Sequence, residues 1–153
     1  MGCTIVALQM DGPYYQIAWV GDSRAYLWDG HHLRQLSHDH TYVQLLVDSG
    51  GITSEDAESH PQRNNICQSL GVARECLPTI DIVEGELLRG EQILLCSDGL
   101  TSEVPDSRIS EILAAENQPT DQAEQGRIAA LIVEALDRGG SDNVTVLLVS
   151  RPR

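Results

Sequence analysis

One apolar segment that ends abruptly in a carboxylate constrains this chain more than any other feature. The segment Gln92–Cys96 is followed at once by Ser97, Asp98 and Gly99. An apolar run of this length, bounded by turn residues, is typical of a buried β-strand. Because a strand end holds a side chain more rigidly than a loop does, the sequence predicts a fixed position for the Asp98 carboxylate.

Two further carboxylates stand at strand edges of the same kind. Asp142 precedes the apolar run 144–149, and Asp22 follows a run that ends at Val20. Carboxylates that converge repel each other unless protons or cations neutralise them, and the hard ions Mg²⁺ and Mn²⁺ prefer oxygen ligands. The pattern therefore favours a metal-dependent enzyme. For Asp22 an alternative stays open, namely a turn in which its carboxylate pairs with Arg24.

Size and charge exclude several other classes of protein. The chain has 153 residues, a net charge of −13 and no clustered basic segment, which argues against nucleic-acid binding. The sequence holds no apolar run of the roughly 18 residues that a membrane-spanning helix needs. Its four cysteines form no C-x-x-C pair. We expect a single domain in a reducing, cytoplasmic compartment.

The order of apolar patterns predicts strands first and then mixed helices and strands. Asp11-Gly12 and Asp29-Gly30 are hairpin turn signals, so two of the three Asp-Gly pairs have a structural explanation. Strands are predicted at 4–8, 16–20, 24–28, 33–36, 80–83, 92–96 and 144–149, and helices near 43–47, after Thr53, after Pro105 and around 128–136. This is an α+β fold.

The histidines offer a competing metal site. His31, His32, His38 and His40 lie close together in sequence, but no third and fourth ligand stands at a helical spacing from them. We interpret them as polar loop residues.

Five motifs in order carry a resemblance to a known family. They are G-D-S-R at 21–24, L-S-x-D-H at 36–40, S-L-G at 69–71, S-D-G-L at 97–100 and G-S-D-N-V-T-V at 140–146. In this order the motifs resemble the bacterial branch of the PP2C-type (PPM) metal-dependent serine/threonine protein phosphatases. The resemblance extends over nearly the whole chain.

The resemblance implies a β-sandwich flanked by helices, in αββα layers. It also implies two Mn²⁺ or Mg²⁺ ions that activate a water molecule to attack phosphoserine or phosphothreonine, and a third, weaker ion at Asp22. By match, the metal ligands are Asp22, Asp98, Gly99 and Asp142, and no other catalytic residue is needed. The segment 38–70 resembles the family's mobile flap beside the active site. The implied partner is a phosphorylated protein, so that the enzyme would counteract a Ser/Thr kinase.

The resemblance also has a gap. Family members begin with a segment that carries a phosphate-binding Arg, an acidic residue and an Asp-Gly-x-Gly-Gly whose Asp bridges both metals. Asp11-Gly12-Pro13 does not replace that motif, and Arg24 is expected to be structural. We therefore expect residues 1–153 to be roughly the C-terminal two-thirds of the domain and a poor phosphatase alone. The alternative is a catalytically inactive module that binds partners or self-associates through exposed sheet edges.

Overall fold

Two antiparallel sheets and a layer of helices build the molecule. The structure is a computed structural model that describes residues 2–72, 77–115 and 121–151. Its strands are β1 (Ile5–Asp11), β2 (Tyr14–Val20), β3 (Arg24–Trp28), β4 (Leu33–Gln35), β5 (Asp81–Glu86), β6 (Gln92–Cys96) and β7 (Val146–Ser150). Its helices are α1 (Tyr42–Asp48), α2 (Ser54–Glu58), α3 (Asp98–Thr101), α4 (Asp106–Ala114) and α5 (Asp121–Arg138). The predicted α+β class is confirmed.

The strands divide into a three-stranded sheet, β1-β2-β5, and a four-stranded sheet, β4-β3-β6-β7. Asp11 pairs with Tyr14 at the tip of the β1-β2 hairpin, where Gly12 adopts φ +57°, a left-handed conformation that favours glycine. The Asp29-Gly30 signal likewise connects the antiparallel strands β3 and β4. Both predicted hairpins are confirmed.

Strand β6 lies in the middle of the packing, and all five of its residues are buried. Ile93 and Leu95 join a core between the two sheets, and Leu94 and Cys96 join a second core on the opposite face. The first core is completed by side chains of the neighbouring strands, including Tyr15, Ile17, Trp19, Ala25 and Leu27. The second is completed by strand and helix side chains, including Tyr26, Leu148, Ile109, Leu113, Leu131 and Ala135. This double burial explains why the segment is apolar without alternation.

The outer face of the three-stranded sheet is different. The cross-strand register places Ala18 opposite both Ala7 and Ile82. Ile82 is 56% exposed, and Ile5 and Tyr14 at the two ends of the sheet are 45% and 62% exposed. The helical layer formed by α4 and α5 lies against the four-stranded sheet.

Two element boundaries depart from the sequence prediction at functionally important positions. Asp98 opens a short helix, α3, in which the Ser102 N–H donates to the Asp98 carbonyl. Strand β7 begins at Val146 and not at Val144. The reason is that the Thr145 N–H donates to the Ser97 side chain instead of continuing the ladder.

The segment predicted as a flap, 38–70, holds α1 and α2. Its two ends meet at a bridge between Thr41 and Ile66, and most residues between them are exposed or half-buried. Helix α2 has only five residues and a capping box formed by Thr53 and Asp56. A helix this short gains little stability of its own.

We predict that amide hydrogens in α2 exchange with solvent far faster than those of β6. The strand should open only with global unfolding, whereas the short exposed helix should open locally at a small cost in free energy. Hydrogen–deuterium exchange read by mass spectrometry or NMR measures both. Protection in α2 equal to that in β6 would contradict the flap hypothesis.

No described helix combines the length and the apolar character that crossing a bilayer requires.

Candidate metal centre

Asp22 sits in a tight turn that only glycine permits. Strand β2 ends at Val20, and Gly21 follows with φ +112°, a conformation that side chains disfavour. A Cβ atom on Gly21 would also overlap the side chain of Thr4. The turn buries Asp22, which is 7% exposed although it carries a carboxylate.

Gly99 lets the backbone that follows Asp98 contact the loop that carries Asp142. A Cβ atom on Gly99 would overlap the backbone carbonyl oxygen of Asn143. The contact is reinforced by Ser97, whose Oγ donates to the Asn143 carbonyl at 3.1 Å and accepts from the Thr145 N–H at 3.0 Å. The Ser97 N–H also donates to the Thr145 carbonyl at 3.1 Å. The backbones that follow Asp98 and Asp142 are therefore adjacent.

Asp22 and Asp98 share an electrostatic environment. Burial, and then the negative charge of Asp98, raise the pKa of the Asp22 carboxyl to about 6. The Asp22 carboxylate is thus held in a partly desolvated place beside a like charge, where a cation would stabilise it.

Asp142 differs from the buried Asp22 in its exposure to solvent. Its side chain is exposed, and its Oδ1 accepts a hydrogen bond from the N–H of Asn143 at 2.7 Å. We predict that its carboxylate lies within about 6 Å of that of Asp98, as positions that share a metal site require.

The donor chemistry fits a hard divalent cation in part. The candidate ligands offer only oxygen atoms, as Mg²⁺ and Mn²⁺ prefer. Within residues 2–72, 77–115 and 121–151, however, no group of three or more His, Cys, Asp or Glu side chains is arranged to hold an ion.

Arg24 does not pair with Asp22, so that alternative was wrong. Its guanidinium binds the Asp39 carboxylate with Nε at 2.9 Å and Nη2 at 2.7 Å, and Nη1 donates to the Tyr26 hydroxyl. Tyr26 in turn donates to Asp106 at 2.9 Å. Arg24 therefore connects the G-D-S-R and L-S-x-D-H motifs, as expected of a structural residue.

One of the histidines interpreted as polar loop residues is buried. His31, His32 and His38 are exposed, but His40 is 7% exposed and contacts the backbone of Gly21. No local sequence signal reveals this burial, because His38 is also adjacent to Asp39 and is exposed. The burial of His40 depends on contacts with residues distant in the chain.

Cys96, at the end of β6, offers no nucleophile. Burial raises the pKa of its thiol to about 12, so the thiolate is disfavoured at neutral pH.

Comparison with known proteins points to one family. The family model for protein phosphatase 2C matches residues 1–46. The serine/threonine phosphatase Stp of Listeria monocytogenes is 42% identical over 151 residues, which are 99% of this chain and 57% of that protein. The crystal structure of the Mycobacterium tuberculosis phosphatase PstP/Ppp superposes with a TM-score of 0.84 at 42% identity, covering 100% of this chain and 61% of that one.

Over its whole length this chain is similar to serine/threonine phosphatases of the protein phosphatase 2C family. A further structure, the PstP catalytic domain in complex with two manganese ions, superposes with a TM-score of 0.77 at 38% identity and covers 97% of this chain and 58% of that one. The chain thus spans less than two thirds of the length of these family members.

The contact between Gly99 and Asn143 yields a prediction with a matched control. Gly99→Ala should destabilise the protein by about 2 kcal/mol or more, because its Cβ atom meets rigid backbone. Gly126→Ala, in α5 with open space around the Cβ position, should stabilise it by up to about 1 kcal/mol. Urea unfolding of both variants measures this. Equal stability of the two would contradict the close contact.

The Asp22 environment yields a pH-dependent prediction. The folded-state pKa of about 6 lies above the reference value of 3.8, so the folded protein binds the extra proton, and stability falls as pH rises between these values. Asp22→Asn removes that titration. Without metal, the variant should gain stability over the wild type by on the order of 1–3 kcal/mol between about pH 4 and about pH 7.5.

Urea unfolding in the presence of a chelator measures that difference. A gap between the two proteins that does not change with pH would show that the Asp22 carboxyl titrates normally.

Proposed function

We propose that this chain forms part of a metal-dependent protein phosphatase domain that hydrolyses phosphoserine and phosphothreonine. The observation that carries the proposal is the buried Asp22 carboxylate beside Asp98, in a fold shared with bacterial serine/threonine phosphatases. Burying like charges together destabilises a protein unless a cation binds between them. The arrangement is explained if the site has evolved to bind one.

Each candidate ligand has a separate task in this proposal. Asp98, Asp142 and the Gly99 carbonyl would hold the two principal Mn²⁺ or Mg²⁺ ions, and Asp22 would hold a third, weaker one together with Asp98. Bound divalent ions supply an activated water nucleophile and neutralise the phosphoryl oxygens. The chain itself holds the loops of Asp98 and Asp142 together through the contact between Gly99 and Asn143 and through the hydrogen bonds of Ser97.

We further propose that residues 1–153 correspond to roughly the C-terminal two-thirds of the catalytic domain, with 38–70 as the flap that affects substrate choice. Two observations support this. The chain spans 57% of the Listeria relative, and among residues 2–72, 77–115 and 121–151 no group of three or more His, Cys, Asp or Glu side chains is arranged to hold an ion. The remaining ligands would come from residues outside this chain.

The proposed partner is a phosphorylated protein, and the proposed role is to reverse a Ser/Thr kinase in the cytoplasm. The names of the relatives, serine/threonine phosphatases, support the substrate class. The acidic charge of −13 is compatible with a protein substrate and unsuited to nucleic acid.

The metal assignment can be tested by calorimetry and by hydrolysis of p-nitrophenyl phosphate. We expect the wild-type chain to bind Mn²⁺ and to show only weak, Mn²⁺-dependent hydrolysis, because losing ligands of such a site costs about 10³-fold in rate. Asp98→Asn should weaken Mn²⁺ binding by at least about tenfold and abolish the residual hydrolysis. The control is Asp11→Asn, in an exposed hairpin turn that asparagine suits equally well.

Two outcomes would contradict these proposals. Hydrolysis that persists without divalent ions, or in Asp98→Asn, would exclude the proposed metal chemistry. A fully active monomer would exclude the proposal that ligands are missing from this chain.

A second function, self-association as a catalytically inactive module, is favoured by the exposed outer face of the three-stranded sheet. Ile82 is 56% exposed, and with Ala7 and Ala18 beside it forms an exposed apolar surface. In addition, β1 is an edge strand of the described sheet, and edge strands can pair with another chain. On this proposal the chain forms a homo-oligomer through that sheet.

Light scattering coupled to size exclusion tests the alternative. We expect a mass that rises with protein concentration and returns to the monomer in Ile82→Glu. Leu77→Glu, at a residue that is 94% exposed and outside the sheets, is the control and should associate like the wild type. A monomer at all concentrations would exclude self-association.

A further inference from the structure

We propose that His40 is a positioning residue for the candidate metal centre: it fixes the turn that carries Asp22, and so the direction of the Asp22 carboxylate. This inference rests on the proposed function in one respect, that Asp22 binds a divalent ion. His40 itself lies outside the candidate ligand set.

His40 holds Gly21 by both of its backbone polar groups. The Gly21 N–H donates to His40 Nδ1 at 3.1 Å, and the His40 N–H donates to the Gly21 carbonyl at 2.9 Å. Both hydrogen bonds join buried residues. If one partner of a buried hydrogen bond is removed, the other is left without a partner, which costs free energy. Gly21 is the residue with the left-handed conformation that directly precedes Asp22, so its orientation sets that of the carboxylate.

The hydrogen bonds also define the tautomer of His40. Since Nδ1 accepts from Gly21, the ring proton must be on Nε2, which lies 3.2 Å from Asp81 Oδ2. The ring therefore donates to Asp81 at the start of β5 and accepts from the Asp22 turn. Around metal sites a carboxylate commonly orients a histidine that binds the ion; here the histidine instead orients the backbone that carries the candidate ligand Asp22.

His40 connects the same turn to the flap. Its carbonyl accepts a hydrogen bond from the Cys67 N–H at 2.7 Å, beside the bridge between Thr41 and Ile66 that closes the base of segment 38–70. The ring also lies near the indole of Trp19, with 6.4 Å between the ring centroids. His40 is thus held by the three-stranded sheet and by the base of the flap, and it transmits their position to Asp22.

The test compares two substitutions that keep different halves of the imidazole. In His40→Asn the side-chain oxygen stands near the position of Nδ1 and can still accept from Gly21. In His40→Gln the polar end stands near the position of Nε2, so the bond to Gly21 is lost. Isotope-labelled wild type and variants are titrated with Mn²⁺, and paramagnetic broadening of the amide signals of Asp22 and Ser23 is followed by NMR.

We expect His40→Gln to raise the Mn²⁺ concentration that half-broadens the Asp22 signal by about tenfold or more, and His40→Asn to restore a value near that of the wild type. Without metal, the Gly21 amide should be protected from hydrogen exchange in the wild type and in His40→Asn, and should lose protection in His40→Gln. The ¹⁵N shift of His40 should report an unprotonated Nδ1 in the wild type.

Three results would overturn the proposal. They are Mn²⁺ broadening in a folded His40→Gln that matches the wild type, a folded His40→Asn that fails to restore the wild-type broadening, and a protonated Nδ1 in the wild type.

If wild-type Asp22 shows no response to Mn²⁺, the proposed function and its link to His40 both fail. The metal-free Gly21 protection and Nδ1 state then still decide whether His40 holds the turn. If His40→Gln does not fold, the wild-type Nδ1 state and the His40→Asn titration decide.

Discussion

The burial of strand β6 on both faces is the constraint on which the rest of this structure depends. Ile93 and Leu95 fill the core between the sheets, while Leu94 and Cys96 fill the core under α4 and α5. Even its polar residue, Gln92, is buried and satisfied, because it accepts from Arg127 and donates to Ser150. A strand packed in this way cannot shift its register without moving every side chain into the wrong core. Asp98, two residues beyond the end of β6, is held in place by that packing.

The carboxylates of the candidate metal centre reduce the stability of the metal-free protein. A buried carboxylate beside another carboxylate raises the free energy of the metal-free fold, in agreement with the elevated pKa of Asp22. Glycine at positions 21 and 99 lets the backbone segments of this site approach more closely than any side chain would allow. Perturbed pKa values of this kind cluster at functional sites.

The motifs that are separated in sequence are connected by polar side chains. Arg24 joins the first motif to Asp39 of the second, and Ser97 joins the fourth to Asn143 of the fifth. His40 adds a third link, from the second motif back to Gly21. The links made by Arg24 and His40 satisfy groups that are partly or wholly buried. The loops therefore support one another, and a substitution in one is expected to affect the carboxylate in another.

The sequence by itself determined the α+β class, the two hairpins and the buried strand that precedes Asp98. These depend on local chemistry: Asp-Gly pairs favour tight turns, and an unbroken apolar run must be buried on both sides. The resemblance to the family followed from the order of five motifs. Local patterns could not reveal that Arg24 binds Asp39 instead of Asp22, that His40 is buried, or that Asp98 opens a helix. Each of these features depends on residues that are distant in the chain. Gly21 forms hydrogen bonds with His40, for example, and Thr145 donates one to Ser97. Only tertiary packing decides which of several possible polar partners lies within hydrogen-bonding distance, because burial makes that choice energetically decisive.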